Sequence, residues 1–138
     1  GLSYHHNDVE LDGNELNVYE HNGLGTTLGD TWIGFADYRA TDRLSYGWQG
    51  RFVTAVDSLR TGVGTLDKPG YGVHDLYAQW SVLGDDRLVL NMTLKNLFDK
   101  QYLDHASNED FESIPGYEGV RGSYEPGREL RLGVTLRL

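Results

Sequence analysis

Hydrophobic and polar residues alternate with a period of two along most of the chain beyond residue 30. Over residues 128–138, Leu130, Leu132, Val134, Leu136 and Leu138 fall on one face, with Glu129, Arg131, Gly133, Thr135 and Arg137 on the other. That pattern predicts a strand with one greasy and one largely polar face. Residues 87–98 repeat it, with Leu88, Leu90, Met92, Leu94 and Phe98 against Arg87, Asn91, Thr93 and Lys95. Asn96 is the polar interruption on that apolar face. Residues 71–82 set Leu76, Ala78, Trp80 and Val82 against Asp75, Gln79 and Ser81, and residues 44–56 set Leu44, Tyr46, Trp48, Phe52 and Val56 against Ser45, Gln49 and Arg51. A fifth strand is expected over 31–39. There Ile33 and Phe35 compete with Trp32, Ala36 and Tyr38 for the apolar side, so its facing stays open.

These strands are long against the usual mode of about 5 or 6 residues, and their connections alternate in length. Tight turns fall at Ala40-Thr41-Asp42 and Gly84-Asp85-Asp86, whereas 58–70 and 99–127 read as long loops holding all three prolines, Pro69, Pro115 and Pro126. Short connections on one rim and long ones on the other are the plan of an outer-membrane β-barrel. On that plan Tyr38, Tyr46, Trp48 and Trp80 lie near the short-turn rim, where a lipid–water boundary favours Tyr and Trp. The alternative is a soluble β-barrel or sandwich with these aromatics in its core, binding a small ligand or a partner protein. Residues 1–29 read as a loop with a small hairpin around Asp12-Gly13, and 30–138 as barrel strands and loops. Five or six strands cannot close a membrane barrel, so the chain either pairs with other strands or is the C-terminal part of a longer protein, and the second is expected because the last strand runs to the final residue.

Composition agrees with an all-β chain: 18 glycines in 138 residues is near twice the usual share of about 7%. A net charge of −9 argues against a nucleic-acid partner. The absence of cysteine excludes disulfides, thiolate metal sites and a cysteine nucleophile. No stretch approaches the ~20 apolar residues of a spanning helix. A mean hydropathy of −0.51 does not argue against a barrel, whose strands hide their apolar residues at every second position.

The run Asn96-Leu97-Phe98-Asp99-Lys100-Gln101-Tyr102, a long loop, then Pro126-Gly127-Arg128 leading into an alternating last strand resembles the C-terminal end of TonB-dependent outer-membrane receptors. The resemblance covers about residues 70–138 well, and 30–57 in pattern only. It implies a transmembrane antiparallel barrel of 22 strands, of which this chain supplies about the last five or six. The implied partners are the rest of the barrel, an N-terminal plug, the TonB complex reached through that plug, and the lipid and lipopolysaccharide of the cell outer membrane. The implied activity is uptake of an iron compound, haem or a siderophore. The family usually ends in an aromatic residue, where this chain has Leu138.

No catalytic constellation is visible: there is no G-x-S-x-G elbow, H-E-x-x-H pair or P-loop, so a non-enzyme with no intrinsic cofactor is expected. Recognition of a haem or ferric chelate as transported substrate is the implied chemistry. Imidazole and phenolate both suit haem iron. The candidate substrate-binding residues are therefore Tyr102, His105, Tyr117 and Tyr124 in the longest loop, with His5 and His6 near the start. Tyr4 and Asp104 stand beside them. Arg51, Asp75, Gln79, Lys95, Arg131 and Arg137 are expected to face the lumen, and His74 the interface or the lumen. The acidic run Asn108-Glu109-Asp110 with Glu112 lacks the spacing of a calcium loop.

Overall fold

A computed structural model describes residues 1–7, 9–15, 27–61, 64–84, 87–107 and 115–137. Among these there is no helix. The strands are β1 (Leu2–Asn7), β2 (Glu10–Leu11), β3 (Asn14–Glu15), β4 (Leu28–Arg39), β5 (Leu44–Val53), β6 (Val56–Thr61), β7 (Gly64–Lys68), β8 (Tyr71–Ser81), β9 (Leu88–Lys95) and β10 (Glu129–Leu136). Six form one sheet in the order β1-β4-β5-β8-β9-β10, while β2-β3 and β6-β7 are separate hairpins. Every pairing in the main sheet is antiparallel.

The five strands expected from alternation are present. Two connections differ from expectation. Within 1–29 the Asp12-Gly13 turn joins β2 to β3 as read, but residues 2–7 are not loop: they pair with β4 as a strand of the main sheet. Likewise 58–70 is not an irregular loop, because β6 and β7 pair across it. The second tight turn lies partly outside the described residues. The first is closed by Ala40 and Thr41 N–H donating to Leu44 O, and by the Thr41 hydroxyl accepting from Arg43 and Leu44 N–H.

Register resolves the facing of β4. Tyr38 is level with Tyr46, Ala78, Met92 and Leu132 across five strands, and Trp32 with Phe52. Residues level with one another share a face, so Trp32, Ala36 and Tyr38 stand with the apolar set. Ile33 pairs with Arg51 and Phe35 with Gln49, which places both on the polar face. The apolar face is uncovered: Leu132, Val134 and Leu136 are 72%, 69% and 62% exposed. Such a continuous greasy surface calls for lipid or a partner.

Two aromatic belts mark that face. Tyr38, Tyr46 and Trp80 lie toward the short turns; Tyr4, Trp32 and Phe52 lie toward the longer connections. At ~3.3 Å per residue the belts are about 20 Å apart along the strands. Trp48 does not belong to the short-turn belt. Its indole N–H donates to His74 Nδ1 (3.1 Å), and His74 sits between the rings of Phe52 and Phe98 at 5.2 Å from each. His74 thus stands in an aromatic cluster on the apolar face. Of the buried apolar side chains, Val53, Leu59, Leu66 and Tyr71 gather at the long-connection end, and Val89 lies near the short turns. The β6-β7 hairpin also lies at the long-connection end, joined to the β4 head by the Lys68 ammonium, which donates to Thr27 O.

Candidate functional site

The polar face carries a cavity of about 510 Å³ at that same end. Its walls include Gln49, Arg51, Asp75, Lys95, Tyr102 and Arg131, with Glu125 and Glu129 at the loop side. Four of the residues expected in the lumen are therefore here: Arg51, Asp75, Lys95 and Arg131. Gln79 shares their face but lines a smaller groove near the short turns, with Arg43 and Ser81. Arg137 follows the same alternation at the end of β10.

The centre of the site is Arg51. Its guanidinium donates to Asp104 Oδ2 at 2.9 Å, and the Tyr71 hydroxyl donates to the same oxygen at 2.9 Å. Arg51 also lies 5.3 Å from the centre of the Tyr71 ring, within range of a cation–π contact. Tyr102 stacks on Tyr71 with ring centres 4.4 Å apart. Burial alone would raise the Asp104 carboxyl. The bonds from Ala106 N–H, Tyr71 and Arg51 outweigh it and hold Asp104 below the usual carboxylate range. Burial pushes the Tyr102 phenol up against the opposing pull of Arg51, so it keeps its proton near neutral pH.

The base of the long loop is held by the residues that carried the family resemblance. Asn96, only 5% exposed, has a left-handed backbone and ties both ends of the loop. Its Oδ1 accepts from Lys100 N–H (2.8 Å), its amide nitrogen donates to Lys100 O (2.9 Å) and Pro126 O (3.3 Å), and its backbone N–H donates to Asp75 Oδ1 (2.8 Å). Asp99 Oδ1 accepts from Arg128 N–H at 2.7 Å. A Cβ on Gly127 would lie 2.6 Å from that same oxygen, so a side chain there would push the Asp99 carboxylate aside. Glu125 N–H donates to Tyr102 O, closing the loop one step further out.

The candidate substrate-binding residues do not converge. Tyr102 and His105 both touch Tyr71. Tyr117 and Tyr124 are exposed, outside any ring contact among the described residues. His5 is level with Thr31, on the polar face at the β1 edge, and His6 Nδ1 lies 2.6 Å from Asp30. His105 is neither solvated nor open to a ligand: it is 1% exposed, and both ring nitrogens are bonded to backbone groups. Tyr71 and Lys68 escaped the sequence reading. Tyr71 carried one signal, an aromatic at a polar-face position beside a long connection. The 108–112 acidic run lies outside the described residues. Among those described, no three His, Asp or Glu side chains gather into a set that could hold a metal.

No family model matches the chain. The heme transporter BhuA of Brucella abortus (strain 2308) is 27% identical over 116 residues, which is 80% of this chain and 17% of that protein. Among solved structures, the FrpB iron transporter of Neisseria meningitidis (F3-3 variant) superposes with a TM-score of 0.66 at 29% identity, over 80% of this chain and 16% of FrpB. The copper transporter OprC gives a TM-score of 0.65 at 24% identity, over 80% and 17% of the two chains, a likeness of fold. The chain spans about a sixth of the length of these relatives. These relatives are TonB-dependent outer-membrane receptors, and the chain is similar in sequence and in fold to a segment of them.

Proposed function

We propose that this chain is the C-terminal part of a 22-stranded outer-membrane receptor that takes up an iron compound, with haem ahead of siderophores. The rest of the barrel, an N-terminal plug and the TonB complex acting through that plug complete the transporter. Lipid and lipopolysaccharide cover the apolar face. The observation that carries this reading is the two-faced sheet itself. One face is apolar and exposed, and the other holds a charged cavity walled at its mouth by the long loop. A soluble sandwich would turn the greasy face inward, and here nothing among the described residues covers it. The 27% identity to a heme transporter supports an iron-containing cargo.

Passage rather than bond-making is the chemistry this site supports. Arg51, ion-paired with Asp104, is proposed to offer its further guanidinium N–H groups to acceptors on the cargo, and Tyr102 a flat wall and a hydroxyl donor. Tyr117, Tyr124 and His5 are proposed as outer contacts. The iron compound is the cargo, a substrate. The test is growth of an iron-starved strain carrying the full-length receptor, on haemin or on a ferric siderophore, with and without TonB. Growth on haemin that requires TonB and weakens with Arg51→Ala is the expected result. TonB-independent growth, or no growth on either iron source, overturns the reading.

A further inference from the structure

Lys68 and His105 are the most deeply buried ionisable groups among the described residues, 0% and 1% exposed, and the cavity does not use them. The Lys68 ammonium donates to Thr27 O (3.1 Å) and His105 O (3.0 Å). His105 Nδ1 accepts from Gly29 N–H (3.0 Å), and Nε2 is 3.1 Å from Pro69 O. A backbone N–H only donates and a carbonyl only accepts. The ring is therefore neutral with its proton on Nε2. A single loop residue is thus bonded to the head of β4, to the last residue of β7 and to the corner between β7 and β8. Gly29 fits only because it has no side chain: a Cβ there would lie 1.9 Å from Thr54 O and 3.1 Å from His105 Cε1. One residue before His105, Asp104 holds Arg51 and Tyr71.

We propose that Lys68 and His105 are positioning residues, a latch that fastens the start of the long loop to the β4 head and the β7–β8 corner, presents Asp104 and Tyr102 over the cavity, and opens in acid. A proton on Nδ1 would meet the Gly29 N–H head-on and remove that bond. The groups facing the ring decide the sign. Among the described residues, Lys68 from β7 and Arg51 from β5 are cations, Tyr71 from β8 is neutral, and the anion near the ring, Asp104 on the loop itself, is already engaged by Arg51 and Tyr71. Burial likewise holds the imidazole below its ordinary value, with the Pro69 bond and Asp104 opposing and Lys68 assisting. The folded form thus takes up its proton later than the unfolded one. Latch stability is present above the ordinary imidazole value of about 6.5 and is lost as pH falls below it.

Only the consequence for uptake rests on the transporter reading; the latch does not. The test is hydrogen exchange of the full-length receptor in detergent, following peptides that cover 27–30 and 102–107 at pH 7.5 and pH 5. Rates are corrected for intrinsic exchange, and heat-modifiable gel mobility reports an intact barrel. In the native receptor, protection of both peptides is expected to fall at least tenfold at pH 5. Lys68→Met and His105→Phe should lower protection at pH 7.5 by a similar factor, and His105→Phe should flatten the pH response. Acid-insensitive protection in the native receptor overturns the latch without any variant, so misfolded variants do not rescue it. Unchanged protection in folded variants overturns it too. A haemin titration of the same samples separates the two proposals: no binding at either pH, with exchange as expected, refutes the haem reading and leaves the latch supported.

Discussion

Asn96 shows how much one side chain can settle. It occupies an apolar-face position in sequence, which the alternation alone reads as an interruption, yet it is buried and makes three side-chain bonds that close the base of a loop nearly thirty residues long. Asn96→Ala strands these backbone partners at a cost of about 1–3 kcal/mol. The expected result is a lower melting temperature of the receptor and faster protease cleavage within 99–127, while Asn91→Ala, on an exposed position, changes neither. Equal behaviour of the two variants would refute the clamp. Gly127→Ala, by crowding Asp99 Oδ1, should reproduce the loop sensitivity in milder form. These residues were legible because Asn96, Asp99, Gly127 and Arg128 belong to a recognisable run. Lys68 and His105 were not. Their partners are backbone atoms some forty and eighty positions away, and no local pattern encodes a carbonyl that folding will bring alongside.

At the scale of elements, alternation carried the strands because the two sides of this sheet meet different media. Leu130 to Leu136 keep one face apolar through β10, while Arg131 and Glu129 pair on the other at 2.8 Å. An Arg at Leu132, Val134 or Leu136 puts a charge on the lipid face, at a cost that is about 2–4 kcal/mol at the midplane and falls toward the rims. Those variants should fail to assemble in the outer membrane, whereas Thr135→Arg, on the polar face, should assemble. Quantitative membrane fractionation decides between them, and equal assembly of both sets would remove the lipid-face assignment. The facing of β4 escaped the sequence because its apolar residues occur on both sides. Register against Phe52 and Arg51 resolved it. The strand β1 escaped for a related reason: Leu2-Ser3-Tyr4-His5-His6-Asn7 has too few apolar residues to show a period, and its extended form comes from pairing with β4.

For the whole molecule the governing fact is that the sheet is open. Among the described residues, β1 and β10 each pair on one edge alone. In hydrocarbon every unpaired N–H or C=O on such an edge costs several kcal/mol. Six strands bearing an exposed apolar face are also a template for association with other sheets. The sheet's stability in a bilayer therefore depends on strands contributed from outside it. The residues 1–138 alone, refolded into detergent, should give a mixture of oligomers with strand-type circular dichroism but no heat-modifiable monomer band. The same residues within the complete barrel should give that band. A stable, heat-modifiable monomer of the isolated chain would mean that β1 and β10 close on each other or are capped by the chain's own loops, and the barrel-segment reading of the sheet would have to be abandoned.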